Sequence, residues 1–195
     1  MPMNIQISEV NVREIQREDV PDLRAYFFDS PPEFLNSIGL RTPRPGDADA
    51  MIAWLEKRFQ QREAGGPPTP ILTVIYRGER VGVHTTTHHV PGKSLIMHAH
   101  FFRKDLRGKG IGRISYVLAL EKFLTEYGYQ EVIFKTPIGN VAPMKIKEVL
   151  GLESIGEEVI NWDQLVRPLQ VKVYRVTPQD LPRLKKRVGL EKHLF

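Results

Sequence analysis

The chain has 195 residues, 41% of them hydrophobic, enough for one sizeable core and for a single domain over 1–195. It has no cysteine, which excludes disulfides and thiolate chemistry, and no apolar run long enough to span a bilayer, since PILTVIY and IMHAHFF are each cut short by polar residues. A formal net charge of +5 favours acidic partners, yet the densest basic run, RLKKR at 183–187, lacks interleaved aromatics and reads as the solvated face of a terminal helix, so nucleic acid is not expected as a partner.

The opening MPMNIQISEV alternates like a strand and has no charged-then-apolar leader, so a cytoplasmic, non-membrane protein is expected. Residues 4–16 read as one or two strands, after which Asp19 is placed as an N-cap and Pro21 in the first turn of a helix, DLRAYFF. DSPPEFLNSIGLRTPRPGD predicts a long loop or broken helix, and Asp47 opens an amphipathic helix with Met51, Trp54, Leu55 and Phe59 on one face, ended by GGPP at 65–68. Three strands follow (PILTVIY, RVGVHTTTHH and SLIMHAHFF) with turns at Gly78-Glu79 and Pro91-Gly92. A glycine loop then leads into a helix over 114–127, a strand EVIFKT, a helix around 144–150, strands at 152–160 and 170–176, and a last short helix in PQDLPRLKKR. This order implies an α/β sandwich: a mixed, mostly antiparallel sheet with helices on both faces.

The loop holds Gly108, Gly110 and Gly112 directly before a helix, where bare backbone N–H groups and the helix dipole attract an anion. Two phosphate motifs fail. Gly92-Lys93-Ser94 has Thr87 where a P-loop needs its first glycine and is followed by a strand, while G-x-G-x-x-G is broken by Arg113. A third pattern, [QR]-x-x-G-x-[GA], fits RGKGIG at 107–112 at every position. With the strands before it, the amphipathic helix after it and a strand–Asn–helix–Gly segment beyond, the chain resembles the GNAT superfamily of acyl-CoA-dependent N-acyltransferases over residues 11–176, leaving 177–195 as a short extension.

The resemblance implies acetyl-CoA as co-substrate and an amine acceptor. Backbone groups of Arg107, Gly108, Lys109, Gly110, Ile111 and Gly112 would hold the pyrophosphate, with charge from Lys109 and Arg113. The strand before the loop would splay from the next one to admit the pantetheine arm beside Phe101, Phe102 and Asn140, with the N–H of Phe102 or a neighbour as oxyanion donor. His98 and His100 are the candidate bases. The segment NVAPMKIKEVLGL matches the family pattern at Asn140, Glu148 and Gly151 but carries Lys147 where the usual acid, a tyrosine, would stand, and Lys135 where a catalytic glutamate is common. The departure leaves Lys147 or water as proton donor to the thiolate, or no acid at all since a thiolate near pKa 8.5 leaves readily, with Lys147 otherwise a surface lysine without a role. These two lysines also open a second reading, a non-catalytic acyl-CoA-binding module. Phe27, Phe28, Phe34 and Trp54 are expected as acceptor-pocket walls or core, and Glu33 as an amine-attracting or merely exposed carboxylate.

Five histidines between 84 and 100 raise a metal site, but no ligand spacing supports one and none is expected. A two-residue turn at Pro91-Gly92 would set residue 85 opposite 98 and turn His84 and His88 away from His98 and His100. A homodimer is compatible with the resemblance, though no sequence feature demands one.

Overall fold

The computed structural model describes residues 5–106 and 108–193. Seven strands form one sheet: β1 (Val10–Glu14), β2 (Leu72–Tyr76), β3 (Glu79–Val90), β4 (Ser94–Phe101), β5 (Glu131–Pro137), β6 (Ser154–Ile160) and β7 (Leu169–Val176), in the order β1-β2-β3-β4-β5-β7-β6. Every neighbouring pair is antiparallel except β4 with β5. That exception follows from the chain: helix α4 (Ile111–Glu121) lies between β4 and β5, and only such a crossover can bring the chain back in the same direction. The expected mixed, mostly antiparallel sandwich is what forms.

Helices α1 (Val20–Phe28) and α3 (Asp47–Glu63) cover one face of the sheet, where Leu23, Leu55 and Phe59 pack with Val83. A short helix α2 (Pro32–Ser37) interrupts the segment between them, the broken helix expected there. On the other face α4 buries Ile111, Ile114, Tyr116, Val117 and Leu120. Helix α5 (Val141–Val149) packs against α4 and β5, and α6 (Leu181–Val188) against α4.

Several expectations change. Residues 7–9 form a 3-10 turn rather than a strand, and the first four residues lie outside the described ones. Asp19 precedes α1, but its carboxylate does not cap that helix; it accepts from Arg13 Nη1 at 2.6 Å, from the Thr73 hydroxyl at 2.7 Å and, closing a capping box on the 3-10 turn at 17–19, from the Gln16 N–H at 2.8 Å. The helix after the glycine loop starts at Ile111 and changes to a π-helical turn over 122–126. The residues beyond 176 belong to the core, since Leu181, Leu184, Val188 and Leu190 are buried there. Nor is RLKKR merely a solvated face: Arg183 donates to the Gly151 carbonyl at 2.8 Å, Arg187 to the Val149 carbonyl at 3.2 Å, and Lys185 to Glu121 at 2.6 Å. The basic run thus satisfies carbonyls left open at the end of α5. Among the described residues no helix is long and apolar enough to cross a membrane.

Candidate active site

β4 and β5 share three register pairs, Ser94 with Glu131, Leu95 with Val132 and Ile96 with Ile133, and then part. Beyond Ile96, β4 stays on β3, with Thr85 opposite His98 and Val83 opposite His100, while β5 stays on β7 as far as Pro137. The sheet therefore forks, and a cavity of about 360 Å³ opens at the fork. Phe102 donates its N–H to the Val81 carbonyl at 2.9 Å. This corrects its expected role as oxyanion donor, because that N–H is spent on β3. Alternation along β4 turns the N–H groups of Ala99 and Phe101 the other way, towards the strand that has moved off. Phe101, not Phe102, is the neighbour whose backbone faces the fork.

The glycine loop borders this region. Gly108 and Gly110 take φ of +75° and +95°, a conformation a side chain would strain, and Gly110 is the N-cap of α4. A Cβ at Gly110 would lie 3.4 Å from Arg113 Nε, so that guanidinium lies against the loop. Gly112 serves otherwise: a Cβ there would meet Ile146 Cδ1 at 3.1 Å and the Phe101 ring at 3.7 Å, so its bareness lets α4 begin close to α5 and β4. Ile111 is buried and anchors the helix start, while Lys109 sits partly exposed in the loop. Arg107 lies outside the described residues. The first N–H groups of α4 have no partner within the helix and point past its start, with the positive end of the dipole behind them.

The side chains at the fork come from both faces of the sheet. His98 and His100 share one face and His84, opposite Ala99, lies on the other, as expected, but not through a two-residue turn. The turn spans 91–93 with Val90 opposite Ser94, and the register shift between Thr87 and Val90 restores the pairing of Thr85 with His98. His98 Nε2 pairs with Thr87 Oγ1 at 2.9 Å, and its ring meets the Trp162 ring at 5.8 Å. His100 packs on Phe27 at 4.7 Å and Tyr26 at 5.4 Å between ring centroids. Desolvation holds both imidazoles neutral, His98 at about 4 and His100 at about 3. His88 does not follow the expected parity: the β3 register shifts between Thr87 and Val90, His88 takes φ +51°, and its ring stacks on Trp162 at 5.0 Å. Among the described residues no three His, Cys, Asp or Glu side chains gather as a metal site.

Lys147 is the largest departure from a surface reading. It is 1% exposed, with Nζ 4.1 Å from the ring centroids of both Tyr116 and Phe134, and it lines the cavity. Among the described residues no carboxylate pairs with it within 4 Å. Burial pushes its amine well below the ordinary 10.5. The charge of Lys147 is in turn one of the influences that lower His98. Lys135, by contrast, is engaged: it pairs with Glu158 and faces the Trp162 ring at 5.9 Å. Asn140 precedes α5, makes no side-chain cap and lines the cavity.

Of the expected walls, Phe27 and Phe28 line the cavity, whereas Phe34 meets Tyr26 edge-to-face at 5.5 Å outside that lining, Trp54 is 44% exposed on α3, and Glu33 is exposed on α2. Sequence reasoning missed Trp162. It sits in the β6–β7 connection, where no periodicity assigns a face, and only the tertiary fold brings it over His88 and His98.

Residues 9–153 match the family described as Acetyltransferase (GNAT) domain. No curated protein sequence matches the chain. Three solved structures share its fold. One is the acetyl transferase that modifies the N-terminal serine of 50S ribosomal subunit protein L7/L12 from Salmonella typhimurium, at 12% identity and TM-score 0.66, covering 89% of this chain and 98% of that one. Mycobacterium smegmatis RimJ in complex with CoA-disulfide matches at 14% and 0.67 over 94% and 89%. The third is yncA, a putative acetyltransferase from Salmonella typhimurium with its cofactor acetyl-CoA, at 15% and 0.62 over 87% and 94%.

Proposed function

The chain belongs to the GNAT acetyltransferase family, and from that premise we propose that it moves an acetyl group from acetyl-CoA to a primary amine by direct attack within a ternary complex. The observation that carries this reading is Lys147, a desolvated amine with no carboxylate partner among the described residues, lining the fork where family members place a proton donor. The bare N–H groups of Gly108 to Gly112, with Lys109 and Arg113, hold the pyrophosphate; Asn140 and the unpaired backbone of β4 take the pantetheine amides; and the N–H of Phe101 or Ala99 receives the thioester oxygen as charge develops there.

In the transfer, the amine nitrogen bonds to the thioester carbon and the C–S bond breaks. His98, neutral and oriented by Thr87, takes the proton lost by the attacking nitrogen. Burial disfavours the ammonium of Lys147, so it is the minor protonated form that gives its proton to the departing sulfur. A desolvated ammonium is a stronger acid than an ordinary lysine, so that step runs towards a thiolate whose own pKa is near 8.5.

The test follows CoA release and acetyl-amine formation with both substrates varied. Intersecting double-reciprocal lines with stoichiometric products support the ternary-complex reading. Parallel lines, or acetyl-CoA binding with no amine acetylated, would leave a binding module instead.

A further inference from the structure

We infer that the acceptor is a small monoamine with a flat, apolar body, and not a polyamine or a polypeptide terminus. This rests on the acetyl-transfer reading and adds the class of amine that the same site accepts.

The first ground is enclosure. Two segments far apart in sequence meet above the acceptor side of the cavity: Leu40 bridges Leu165, the Arg41 N–H donates to the Gln164 carbonyl at 2.9 Å, and the Val166 N–H donates to the Gly39 carbonyl at 3.1 Å. The Arg41 guanidinium ties the roof further, donating from Nε to the Asp163 carbonyl at 2.8 Å. Beneath it about 360 Å³ remains, at the small end of the range for ligand sites, and part of that volume belongs to the fork itself. A small amine can be held whole within that volume, whereas a polypeptide terminus would leave the body of its chain outside it.

The second ground is charge. A polyamine needs a carboxylate for each ammonium it buries. The cavity lining contains one carboxylate, Asp47, and it is committed to the Arg41 guanidinium at 3.0 Å and the Arg44 N–H at 2.8 Å, which hold it below the ordinary carboxylate range. The basic groups on the lining are Arg41 and Lys135, paired with Asp47 and Asp163 and with Glu158, and Lys147, whose ammonium form burial disfavours. The adjoining outer cavity, between the 137–140 turn and residues 166–170, has Arg167 on its lining and no carboxylate. A polycation meets no free carboxylate along this route. A monoamine needs none, because desolvation in the cavity lowers its pKa and favours the neutral nucleophile.

The third ground is shape. Trp162 and Phe28 line the site beside Phe27, whose ring is already fixed edge-on against His100. Aromatic and aliphatic walls around two imidazoles suit a flat hydrocarbon body with the amine directed at His98.

Trp162 supplies a readout independent of turnover, since the chain has only two tryptophans and Trp54 lies exposed on α3. In a Trp54→Phe variant, 2-phenylethylamine is expected to change Trp162 emission saturably, while spermidine and a serine-initiated hexapeptide do not. With acetyl-CoA, kcat/KM for 2-phenylethylamine should exceed that for either competitor at least tenfold. A Phe28→Asp variant, which supplies a free carboxylate, should narrow the gap to spermidine. Saturable binding of the aromatic amine without acetylation would uphold the acceptor class and remove the catalytic reading. Turnover of spermidine or the peptide in preference, or no emission change with the aromatic amine, overturns the acceptor class while leaving acetyl transfer standing.

Discussion

Replacing Lys147 by methionine separates a catalytic amine from a merely buried one, because the two roles predict opposite pairs of results. Methionine keeps most of the side-chain length between Tyr116 and Phe134 and removes the one atom that water would hydrate. A buried ammonium loses its hydration, and holding the amine neutral instead costs about 1.4 kcal/mol for each pH unit below its ordinary value. Exchange of buried charge for well-packed hydrocarbon returns about 1–4 kcal/mol, from which cation–π contacts to the two rings at 4.1 Å take back about 1 kcal/mol. The expected gain is roughly 0–3 kcal/mol, or up to about 10 °C in Tm for a chain of this size. Loss of a positioned proton donor should lower kcat by about 10²-fold or more, with acetyl-CoA affinity unchanged. Thermal unfolding, calorimetric titration and steady-state kinetics on one preparation suffice. A variant that melts lower and turns over as fast as the parent would refute the reasoning, since Lys147 would then be a packing element whose charge is tolerated.

The buried imidazole of His84 and the half-buried ones of His98 and His100 predict acid sensitivity. His84, His98 and His100 hold at about 3, 4 and 3 in the fold against 6.5 for free histidine, so the unfolded chain binds more protons and stability falls as pH drops through the window below 6.5. Between pH 7 and 5.5 their combined effect reaches up to about 4 kcal/mol, readable by urea denaturation at each pH; a flat profile would show the rings hydrated in the native state. His98→Gln should retain the fold and acetyl-CoA binding but lose about 10²-fold in kcat, and the parent's kcat/KM should show no His98 limb between pH 6 and 8, because that imidazole titrates near 4. Arg41→Ala, which removes the guanidinium contacts to Asp163 and Asp47, should loosen the roof and faster proteolysis near residues 38–47 should report it, with acetyl-CoA affinity unaltered.

The sheet and its helices were legible because each element carries its own period; the pairing of Thr85 with His98 came out as expected, but through a three-residue turn offset by the register shift between Thr87 and Val90. The glycine loop was legible too, although its three glycines do different things: Gly108 and Gly110 take left-handed backbone, whereas Gly112 clears space for Ile146 and Phe101. The burial of Lys147 was not legible. A lysine on a short amphipathic helix reads as surface, and only the fork between β4 and β5 exposes an interior for it to enter. Nor did the sequence betray the bulge that swings His88 onto Trp162, since one shifted residue reverses the parity on which face assignment depends. The availability of a given backbone N–H was equally hidden, and the bond from Phe102 to Val81 moved the expected oxyanion donor by one residue.

The central claim is that the fork and glycine loop together hold an acyl-CoA, and calorimetric titration with acetyl-CoA tests it most directly. Gly110 is a poor place for the control, because any side chain is strained at φ +95° whether or not a phosphate binds. Lys109→Glu with Arg113→Glu is better: both side chains border the loop, and reversing them leaves the backbone conformation alone. The account predicts one acetyl-CoA per chain for the parent and at least tenfold weaker binding for the double variant, with the difference shrinking as salt rises. No binding by the parent, or equal binding by both, would contradict it.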